Sequence, residues 1–355
     1  MFQDISVDEL RKLQKEKPLA IVDVRSPSEF ADSNIPGSVN IPIFTDEERA
    51  EIGTIYKQVS PDAAKEKGLE VVSAKLPAFI REFEKLPEEE KVIYCWRGGM
   101  RSKTSATLVD LMGMKAKRLI GGIHGYRAWV VDQLDELARE FKPKSFVLNG
   151  YTGTGKTKIL RKLQEKGYPV IDLEGMANHR GSIFGMVGKK PHTQKVFDLM
   201  LVERVLQLKD TPYVLLEAES KRVGRALLPD FILKLKDDEG YHIFIDLPME
   251  ERVQNIIEDY RPWEFPNECM SAFQRIKKRI HTPIAAQIER DLESGEYHSA
   301  VRLLLEYYYD PRYHHSAEQI PEERSKVLHV TKIEEATALI EEFVAKNIIK
   351  THTNS

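Results

Sequence analysis

A glycine-rich segment at residues 150–157 constrains the fold more than any other part of this sequence. It matches G-x-x-x-x-G-K-[ST] in full, follows an apolar segment and opens a helical pattern. Glycines at Gly150, Gly153 and Gly155 allow successive backbone N–H groups to converge on phosphate oxygens, and the helix N-terminus adds positive potential. The segment therefore predicts a strand, a phosphate-binding loop (P-loop) and a helix in direct succession.

The last two positions of the P-loop carry the chemistry of phosphate binding. Lys156 supplies a mobile positive charge to the terminal phosphates, and the hydroxyl of Thr157 suits a Mg²⁺ ion. Glu217 ends an apolar segment in the position of a second metal ligand, although a strand-end acid in solvent is the alternative. The motif predicts a phosphorylated ligand without naming it, since any diphosphate fits the same loop.

The rest of the second half alternates between strand and helix patterns. Such alternation predicts right-handed βαβ units and a mainly parallel sheet, an α/β fold that binds ligands beyond the carboxyl ends of its strands. The strand candidates are residues 145–149, 169–172, 213–217, 242–246 and 326–330. Residues 262–315 interrupt the alternation and predict a helical insertion or lid. We place the domain boundary at Pro143, which gives domains of residues 1–142 and 143–355.

A second chemical signal surrounds Cys95. An apolar segment, 92–94, runs directly into the loop Cys-Trp-Arg-Gly-Gly-Met-Arg, and a helical pattern follows. The backbone N–H groups of such a loop, the side chains of Arg97 and Arg101 and the helix start all favour Cys95 as a thiolate. A thiolate can carry sulfur or selenium, so these three residues are the predicted catalytic residues of the first half. The alternative is a module that binds without catalysis.

The segments 21–25, 35–42 and 94–102 together resemble the signature of rhodanese domains. A rhodanese-like domain fused directly to a P-loop domain is similar to the family of tRNA 2-selenouridine synthases, and the resemblance covers nearly the whole chain. It implies that a tRNA with 2-thiouridine at the wobble position is the substrate. It further implies S-geranylation by geranyl diphosphate and then replacement of the geranyl thiol by selenium from selenophosphate.

The resemblance also implies roles for particular side chains. Arg97 and Arg101 suit the phosphate of selenophosphate, because guanidinium groups match tetrahedral oxyanions. The P-loop would bind the diphosphate leaving group with Mg²⁺. The polar segment that contains His179, Arg180 and Ser182 follows a strand end and would reach the same cleft, for diphosphate or for the anticodon loop. An ordinary polar loop is the alternative.

Candidate tRNA contacts lie in the helical insertion. Unpaired anticodon bases stack on tyrosine and arginine, and basic side chains bind the phosphate backbone. The alternative is a helix with a solvated basic face beside a tyrosine-rich core edge. The candidate residues are Arg275, Lys277, Lys278, Arg279, Tyr307, Tyr308, Tyr309, Arg312 and Tyr313.

Composition limits the compartment and the partners. The two cysteines, Cys95 and Cys269, lie far apart and have no metal-ligand spacing, which favours a reducing compartment and a structural Cys269. The N-terminal residues predict a surface helix over 6–16 without a secretory signal, and no apolar run reaches the roughly 20 residues of a membrane helix. We expect a cytoplasmic protein without a membrane partner, and a selenophosphate-producing enzyme as a further partner. The net charge of −3 gives no general support to nucleic-acid binding, so a local patch must hold the tRNA.

Three other functions fit parts of these patterns. An ATP-dependent tRNA sulfurtransferase would use the P-loop for ATP and Cys95 for a persulfide. A nucleotide kinase with a regulatory rhodanese module would not need Cys95 for phosphoryl transfer. An RNA-binding or sulfur-relay adaptor would bind tRNA without forming a product, but the complete P-loop and cysteine loop argue against it.

Overall fold

The parallel sheet expected in the second half is present in the computed structural model, which describes residues 2–238, 240–312 and 321–352, and the first half contains a parallel sheet of its own. The chain forms two compact units, Met1–Asp135 and Glu136–Ser355. Tyr313, one of the candidate tRNA contacts, lies outside the described residues. Among the helices that the structure describes, none is both long and apolar enough to cross a membrane.

The first unit is a five-stranded parallel sheet with helices around it, in the strand order β1-β5-β4-β2-β3. Its central strands are apolar and buried on both faces, as parallel strands covered by helices are. The strands are β1 (Gln3–Ile5), β2 (Ala20–Asp23), β3 (Val39–Asn40), β4 (Glu90–Tyr94) and β5 (Lys115–Leu119). The helices are α1 (Val7–Glu16), α2 (Pro27–Asp32), α3 (Asp46–Gln58), α4 (Pro61–Glu84), α5 (Met100–Leu111) and α6 (Gly122–Glu140), which continues into the second unit.

The N-terminus departs in part from the predicted surface helix. Residues Gln3–Ile5 form an edge strand paired with β5, and the helix begins only at Val7. A capping box begins that helix, because Ser6 and Glu9 exchange hydrogen bonds of 2.7 and 3.2 Å. The three-residue strand is too short to have a recognisable periodicity, which explains why the sequence does not reveal it.

The second unit is a five-stranded parallel sheet in the order β12-β11-β6-β8-β7, with a small antiparallel pair, β9 and β10, outside it. The strands are β6 (Lys144–Gly150), β7 (Val170–Ile171), β8 (Tyr213–Glu217), β9 (Arg222–Val223), β10 (Ala226–Leu227), β11 (Tyr241–Asp246) and β12 (Ser325–His329). The helices that pack on the sheet are α7 (Lys156–Glu165), α8 (Leu173–Ala177), α9 (Gln194–Gln207), α10 (Asp230–Asp237), α11 (Met249–Tyr260) and α15 (Ile333–His352). The P-loop follows the central strand β6 and lies at the carboxyl ends of the strands, where parallel α/β sheets bind ligands.

The predicted helical insertion is confirmed as helical and has an apolar core of its own. It contains α12 (Pro266–Gln274), α13 (Thr282–Ser294) and α14 (Tyr297–Leu304), which continues into a π-helical turn at Leu305–Tyr309. Phe273, Ile276 and Ile288 are fully buried in this core. π-helical turns often occur at functional sites, and this turn ends at the P-loop pocket described below. A lid function of the insertion stays a prediction.

Candidate functional sites

Cys95 lies at the carboxyl end of β4, in the middle of the first sheet. Its side chain is buried, and Sγ lies 3.2 Å from Oγ of Ser102 in the first turn of α5. The start of α6 fixes the cysteine loop, because the backbone N–H of Ile123 donates to the carbonyl oxygen of Cys95 at 3.0 Å. A Cβ atom at Gly122, where φ is +56°, would overlap that carbonyl oxygen, so the close approach requires glycine. The structure therefore holds the sulfur in a closed loop between a strand and two helix starts.

The two arginines of the cysteine loop differ in their surroundings. Arg97 is exposed, and its role in binding an anion stays a prediction. Arg101 instead forms an ion pair with Glu29, with Nη1 and Oε2 2.5 Å apart. This pair, together with Arg49, holds the pKa of the Glu29 carboxyl below its usual range against the opposing effect of burial. The sequence suggested that Arg101 is open to an anion, whereas in the structure a carboxylate already neutralises it.

A buried ion pair lies beneath the cysteine loop. Asp23 and Arg25 are both fully buried, with Arg25 Nη2 2.6 Å from Asp23 Oδ2, and Arg25 also donates to the carbonyl oxygen of Ser33. The Arg25 guanidinium lies 5.9 Å from the ring centroid of Trp96, and Arg127 lies 5.1 Å from the same ring. These contacts fix the position of Trp96 next to Cys95.

The P-loop of the second unit has the expected geometry. Lys156 begins α7, and its ammonium donates to the carbonyl oxygens of Gly150 at 2.9 Å and Tyr151 at 3.3 Å. Gly153 has φ +86°, and a Cβ atom there would lie 2.7 Å from the carbonyl oxygen of Arg252. The loop thus packs tightly against α11, and a side chain at Gly153 has no room.

Helix α11 supports the P-loop from outside through residues that the sequence did not single out. Arg252 Nε donates to the carbonyl oxygen of Thr152 at 2.9 Å, and its other nitrogens bind the carboxylate of Asp310 at 2.5 and 3.0 Å. Asn255 donates to the carbonyl oxygen of Gly153 at 3.0 Å. Arg252 therefore connects the loop to Asp310 at the end of the helical insertion, and Asn255 connects it to α11. A buried arginine 100 residues after the loop carries no local sequence signal.

A pocket of about 150 Å³ opens over the P-loop and collects most of the predicted binding residues. Among the predicted residues, those that line it are Gly153, Gly155, Lys156, Thr157, Arg180 and Ser182. Gly150 lies at the base of the loop, outside the pocket wall. His179 is buried, with Gly185 and Gly224 so close that a Cβ atom at either would collide with its ring, and it does not line the pocket. The binding roles of these residues stay predictions.

The pocket also contains charged residues that sequence reasoning missed. Lys189, Glu174 and Glu219 line it, and Glu174 Oε2 accepts a 2.5 Å hydrogen bond from the hydroxyl of Thr157. Glu217, predicted as a metal ligand, lies fully buried beneath the pocket, where Oε2 accepts from the backbone N–H of Leu173 at 3.0 Å. Its second oxygen, Oε1, is buried without a hydrogen-bond partner in the described structure. The acids therefore form a layered cluster, two at the pocket and one behind it.

These carboxyl groups raise one another's affinity for protons. Burial, followed by the neighbouring acids Asp172 and Glu174, raises the pKa of Glu217 well above its usual range. Burial and Glu174 raise the pKa of Glu219 to about 7, although Lys156 opposes the shift. Burial also raises the pKa of Glu174, although the hydroxyl of Thr157 and Lys156 oppose that shift. The neighbouring Lys156 offsets these shifts only in part, and a bound cation would supply further positive charge.

The cluster fits Mg²⁺ through few protein ligands. The described residues contain no group of three or more His, Cys, Asp or Glu side chains arranged around one metal position. Mg²⁺ does not need one, since it is usually bound by one or two carboxylates together with phosphate oxygens and waters. Thr157 and Glu174 lie in direct contact at the pocket, and the unpaired oxygen of Glu217 lies behind them. This donor set suits a magnesium–phosphate complex better than an all-protein metal site.

Replacing Glu219 with glutamine should stabilise the ligand-free protein at pH 8 and change it little at pH 5. The folded-state pKa of about 7 exceeds the ordinary value of 4.5, so the folded protein retains a proton that the unfolded chain releases. The carboxyl therefore costs stability as the pH rises from 4.5 through 7, and glutamine removes this cost. For this partly exposed side chain we expect a gain of about 1–2 kcal/mol at pH 8.

The test is thermal unfolding of wild type and Glu219→Gln at both pH values, without and with Mg²⁺. Glu293→Gln, on the exposed face of α13, is the matched control for loss of a charge. An equal difference in Tm between wild type and Glu219→Gln at pH 5 and pH 8 would contradict the raised pKa.

A small apolar cavity adjoins the P-loop pocket. It shares Thr152, Ser182, Ile256, Tyr260 and Tyr309 with that pocket, and its volume is about 50 Å³. Its remaining wall is apolar and comes mainly from the helical insertion: Phe184, Pro262, Cys269, Leu292, Tyr297, Val301, Leu304 and Leu305. The Ser182 and Tyr260 hydroxyls lie 3.0 Å apart and satisfy each other.

Cys269 belongs to this apolar wall. Burial, with Glu268 nearby, raises the pKa of its thiol to about 11, so the thiol is neutral. The structural role expected for Cys269 agrees with this position, because a neutral buried thiol behaves as a small apolar side chain.

The candidate tRNA contacts are only partly exposed. Arg275, Lys278 and Arg279 are exposed near the 3-10 turn at Lys277–Arg279, whereas Lys277 binds Glu289 at 2.7 Å. Tyr307 is exposed, Tyr308 is buried, and Tyr309 faces the P-loop pocket. The Arg312 guanidinium stacks on Tyr308, with Cζ 3.6 Å from the ring centroid. Tyr308 therefore belongs to the core edge, and the exposed basic residues and Tyr307 keep their predicted role in tRNA binding.

Comparisons with known proteins match both units. Residues 6–129 match the family of the rhodanese-like domain, and residues 143–264 match the tRNA 2-selenouridine synthase AAA domain. The chain is 32% identical to a tRNA 2-selenouridine synthase from Bdellovibrio bacteriovorus over 90% of this chain and 94% of that protein. It is 34% identical to a tRNA 2-selenouridine synthase from Nitrosomonas europaea over 81% of this chain and 73% of that protein.

One solved structure resembles part of the chain. The N-terminal domain of a putative ATP/GTP binding protein from Clostridium difficile 630 is 34% identical and covers 36% of this chain and 99% of its own. Its TM-score is 0.35.

Proposed function

The chain belongs to the tRNA 2-selenouridine synthase family, and on this premise we propose that it converts wobble 2-thiouridine in tRNA to 2-selenouridine through an S-geranyl intermediate. Family membership makes it a transferase that acts on tRNA. The finer proposal is a two-step reaction, with prenyl transfer at the P-loop pocket and selenium transfer at Cys95. We propose a cytoplasmic location and a selenophosphate-producing enzyme as the source of selenium.

One observation carries the choice of a prenyl diphosphate over a nucleotide. The apolar cavity opens from the P-loop pocket through shared walls, and aliphatic and aromatic side chains of the helical insertion line it. A purine ring is recognised by convergent hydrogen-bond donors and acceptors, but the shared Ser182 and Tyr260 hydroxyls already bind each other. An apolar chain extending from a diphosphate at the P-loop matches this arrangement, and the chain must widen the cavity to enter it fully.

In the first step the 2-thio sulfur attacks C1 of geranyl diphosphate. A carbon–sulfur bond forms, the carbon–oxygen bond breaks, diphosphate leaves with the electron pair, and the base releases its N3 proton. Lys156 and the backbone N–H groups at Gly153 and Gly155 bind the departing diphosphate, since their charge is worth most where negative charge develops. Arg180 lines the pocket but donates to the carbonyl oxygens of Val187 and Asp259, so its part is to shape the wall.

The acids of the pocket and Thr157 would hold Mg²⁺ on the diphosphate. Bound there, Mg²⁺ supplies positive charge that neutralises the leaving group. Thr157 and Glu174 would contribute oxygen ligands, and Glu217 would support them from beneath the pocket. Glu219, with its pKa of about 7, joins them in its ionised form.

In the second step selenium of selenophosphate attacks C2 of the base. A carbon–selenium bond forms, the carbon–sulfur bond breaks, and geranyl thiolate leaves with the electron pair and takes a proton. Water then cleaves the selenium–phosphorus bond, which gives 2-selenouridine and phosphate without any net oxidation. Arg97 binds the phosphate group, and Arg101 joins it by exchanging Glu29 for the anion. The sulfur of Cys95 contacts the selenium and positions it against C2 without forming a covalent bond to it.

The proposal is tested by incubating the purified protein with 2-thiouridine-containing tRNA, geranyl diphosphate, selenophosphate and Mg²⁺. The tRNA is digested and its nucleosides are analysed by mass spectrometry. We expect S-geranyl-2-thiouridine without selenophosphate and 2-selenouridine with it, and no need for ATP. ATP hydrolysis stimulated by tRNA, with no modified nucleoside under any of these conditions, would favour an ATP-dependent sulfurtransferase instead.

A further inference from the structure

The first unit contains a large apolar pocket that has no role in the two sites described above. It lies between α3, α4 and the first turn of α5, and its volume is about 520 Å³. Cavities that bind small organic ligands are typically about 300–1,000 Å³. The floor is apolar and includes Ile43, Phe44, Ile52 and Val72.

The pocket is continuous with the cysteine loop. Met100 and Arg101, the last residues of that loop, form part of its wall. The next residue, Ser102, contacts the sulfur of Cys95 at 3.2 Å. The pocket wall and the side chain that touches the sulfur therefore come from consecutive residues at the start of α5.

The rim of the pocket exposes apolar side chains to solvent. Tyr56 is 60% exposed, Leu69 71% and Met100 61%, and all three line the pocket. Three large exposed apolar residues around one cavity form a contiguous patch, whereas single exposed residues are ordinary. The patch marks a surface that binds an apolar ligand or partner.

Positive charge surrounds the same pocket. Arg49, Lys57, Lys65 and Arg101 line it, and none of its lining residues in the described structure is acidic. Glu29 and Asp62 pair with three of these basic residues, and Lys57 is exposed at the end of α3. Because acids pair with the other three basic residues, Lys57 is the exposed charge that this basic rim offers to an anion attached to an apolar chain.

We propose that this pocket binds the prenyl chain of the S-prenylated wobble nucleoside while selenium replaces sulfur at Cys95. The proposal rests on the function proposed above and adds the site of its intermediate. The ten-carbon chain lies on the apolar floor, and the basic rim contacts the phosphates of the anticodon loop. Holding the chain there places the carbon–sulfur bond at the cysteine loop and draws the thiol away as it leaves.

The test measures binding and turnover separately with the full-length protein. Anticodon stem-loops carrying S-geranyl-2-thiouridine or S-methyl-2-thiouridine are compared by fluorescence anisotropy and then by conversion with selenophosphate. The wild type should bind the geranyl stem-loop about tenfold or more tightly than the methyl stem-loop.

Two variants alter the pocket without replacing a residue of the buried core. Gly68→Leu fills it from α4, where a Cβ atom meets only Phe44, at 3.6 Å, and leucine favours the helix more than glycine. Leu69→Glu places a charge at the exposed rim, and Leu111→Glu, at an equally exposed leucine outside the pocket, is the matched control. Both pocket variants should lose the preference for geranyl over methyl, and the control should keep it.

The outcomes separate the pocket from the reaction. The pocket assignment would be overturned if the wild type shows no preference for the geranyl stem-loop. It would also be overturned if both pocket variants keep that preference. Loss of the preference in the pocket variants alone supports it. A preference for the geranyl stem-loop without any 2-selenouridine would leave the pocket standing and refute the proposed second step.

Discussion

Replacing Lys156 with alanine should stop the reaction at 2-thiouridine. The ammonium of Lys156 lies at the P-loop, 2.9 Å from the carbonyl oxygen of Gly150, and is the charge that we propose contacts the diphosphate. Removing one group that stabilises a developing anion typically costs about 10²–10³-fold in rate. We therefore expect S-geranylation to fall by about that factor. Selenation of a tRNA supplied already geranylated should continue at the wild-type rate.

The control for this variant is Lys162→Ala. Lys162 lies on the same helix, outside the P-loop pocket, in a surface ion pair with Glu334. Surface pairs of this kind contribute little to stability, so Lys162→Ala should keep both steps. If Lys156→Ala geranylates tRNA as fast as wild type, the diphosphate does not bind at the P-loop. If it also loses selenation of pre-geranylated tRNA, the two steps do not use separate sites.

The sequence predicted the parts of the fold that local patterns determine. The P-loop needs a strand, a turn with positive φ and a helix start within a few residues, and all of these are recognisable in order. The position of Cys95 at the end of a buried strand is determined in the same way. The α/β class and the helical insertion follow from longer patterns of periodicity, and the structure confirms both.

The sequence did not reveal which acids face the phosphate pocket. Glu217 ends β8 and looks like the stronger metal ligand, whereas Glu219 lies two residues later in what looks like a polar turn. The packing of α8 decides between them, because the backbone N–H of Leu173 binds Glu217 and keeps it beneath the pocket. Glu174 reaches the pocket from α8, 17 residues after Thr157, and no local pattern links the two.

Partners distant in sequence explain the other differences. Arg101 looks available to an anion until Glu29, 72 residues earlier, is brought beside it. Arg252 binds Thr152 of the P-loop, 100 residues earlier in the sequence. Asp310, 58 residues after Arg252, holds that arginine in place. The sequence does not show that these charges are buried, although an ionised side chain, once buried, seldom lacks a partner.

The change with the largest expected effect on the final product is Cys95→Ala. If the sulfur of Cys95 acts on the reacting selenium, its removal should lower formation of 2-selenouridine by roughly a thousandfold, the upper end of what the loss of one group at the reacting atoms costs. S-geranylation should persist, because the P-loop pocket contains no residue of the cysteine loop. The S-geranyl nucleoside should therefore accumulate in a reaction that contains both co-substrates.

Accumulation of that intermediate distinguishes a chemical role of Cys95 from a structural one. Ser105→Ala is the matched control. Ser105 is buried in α5, one turn after Ser102, and its hydroxyl donates a hydrogen bond to the carbonyl oxygen of Arg101 without contacting the sulfur. The control should form 2-selenouridine at close to the wild-type rate. Loss of both steps in Cys95→Ala would mean that the variant is misfolded or that the two reactions share one centre, and an unchanged Tm decides between these. Formation of 2-selenouridine at the wild-type rate would remove Cys95 from the reaction, since no other residue of the described cysteine loop carries a thiol.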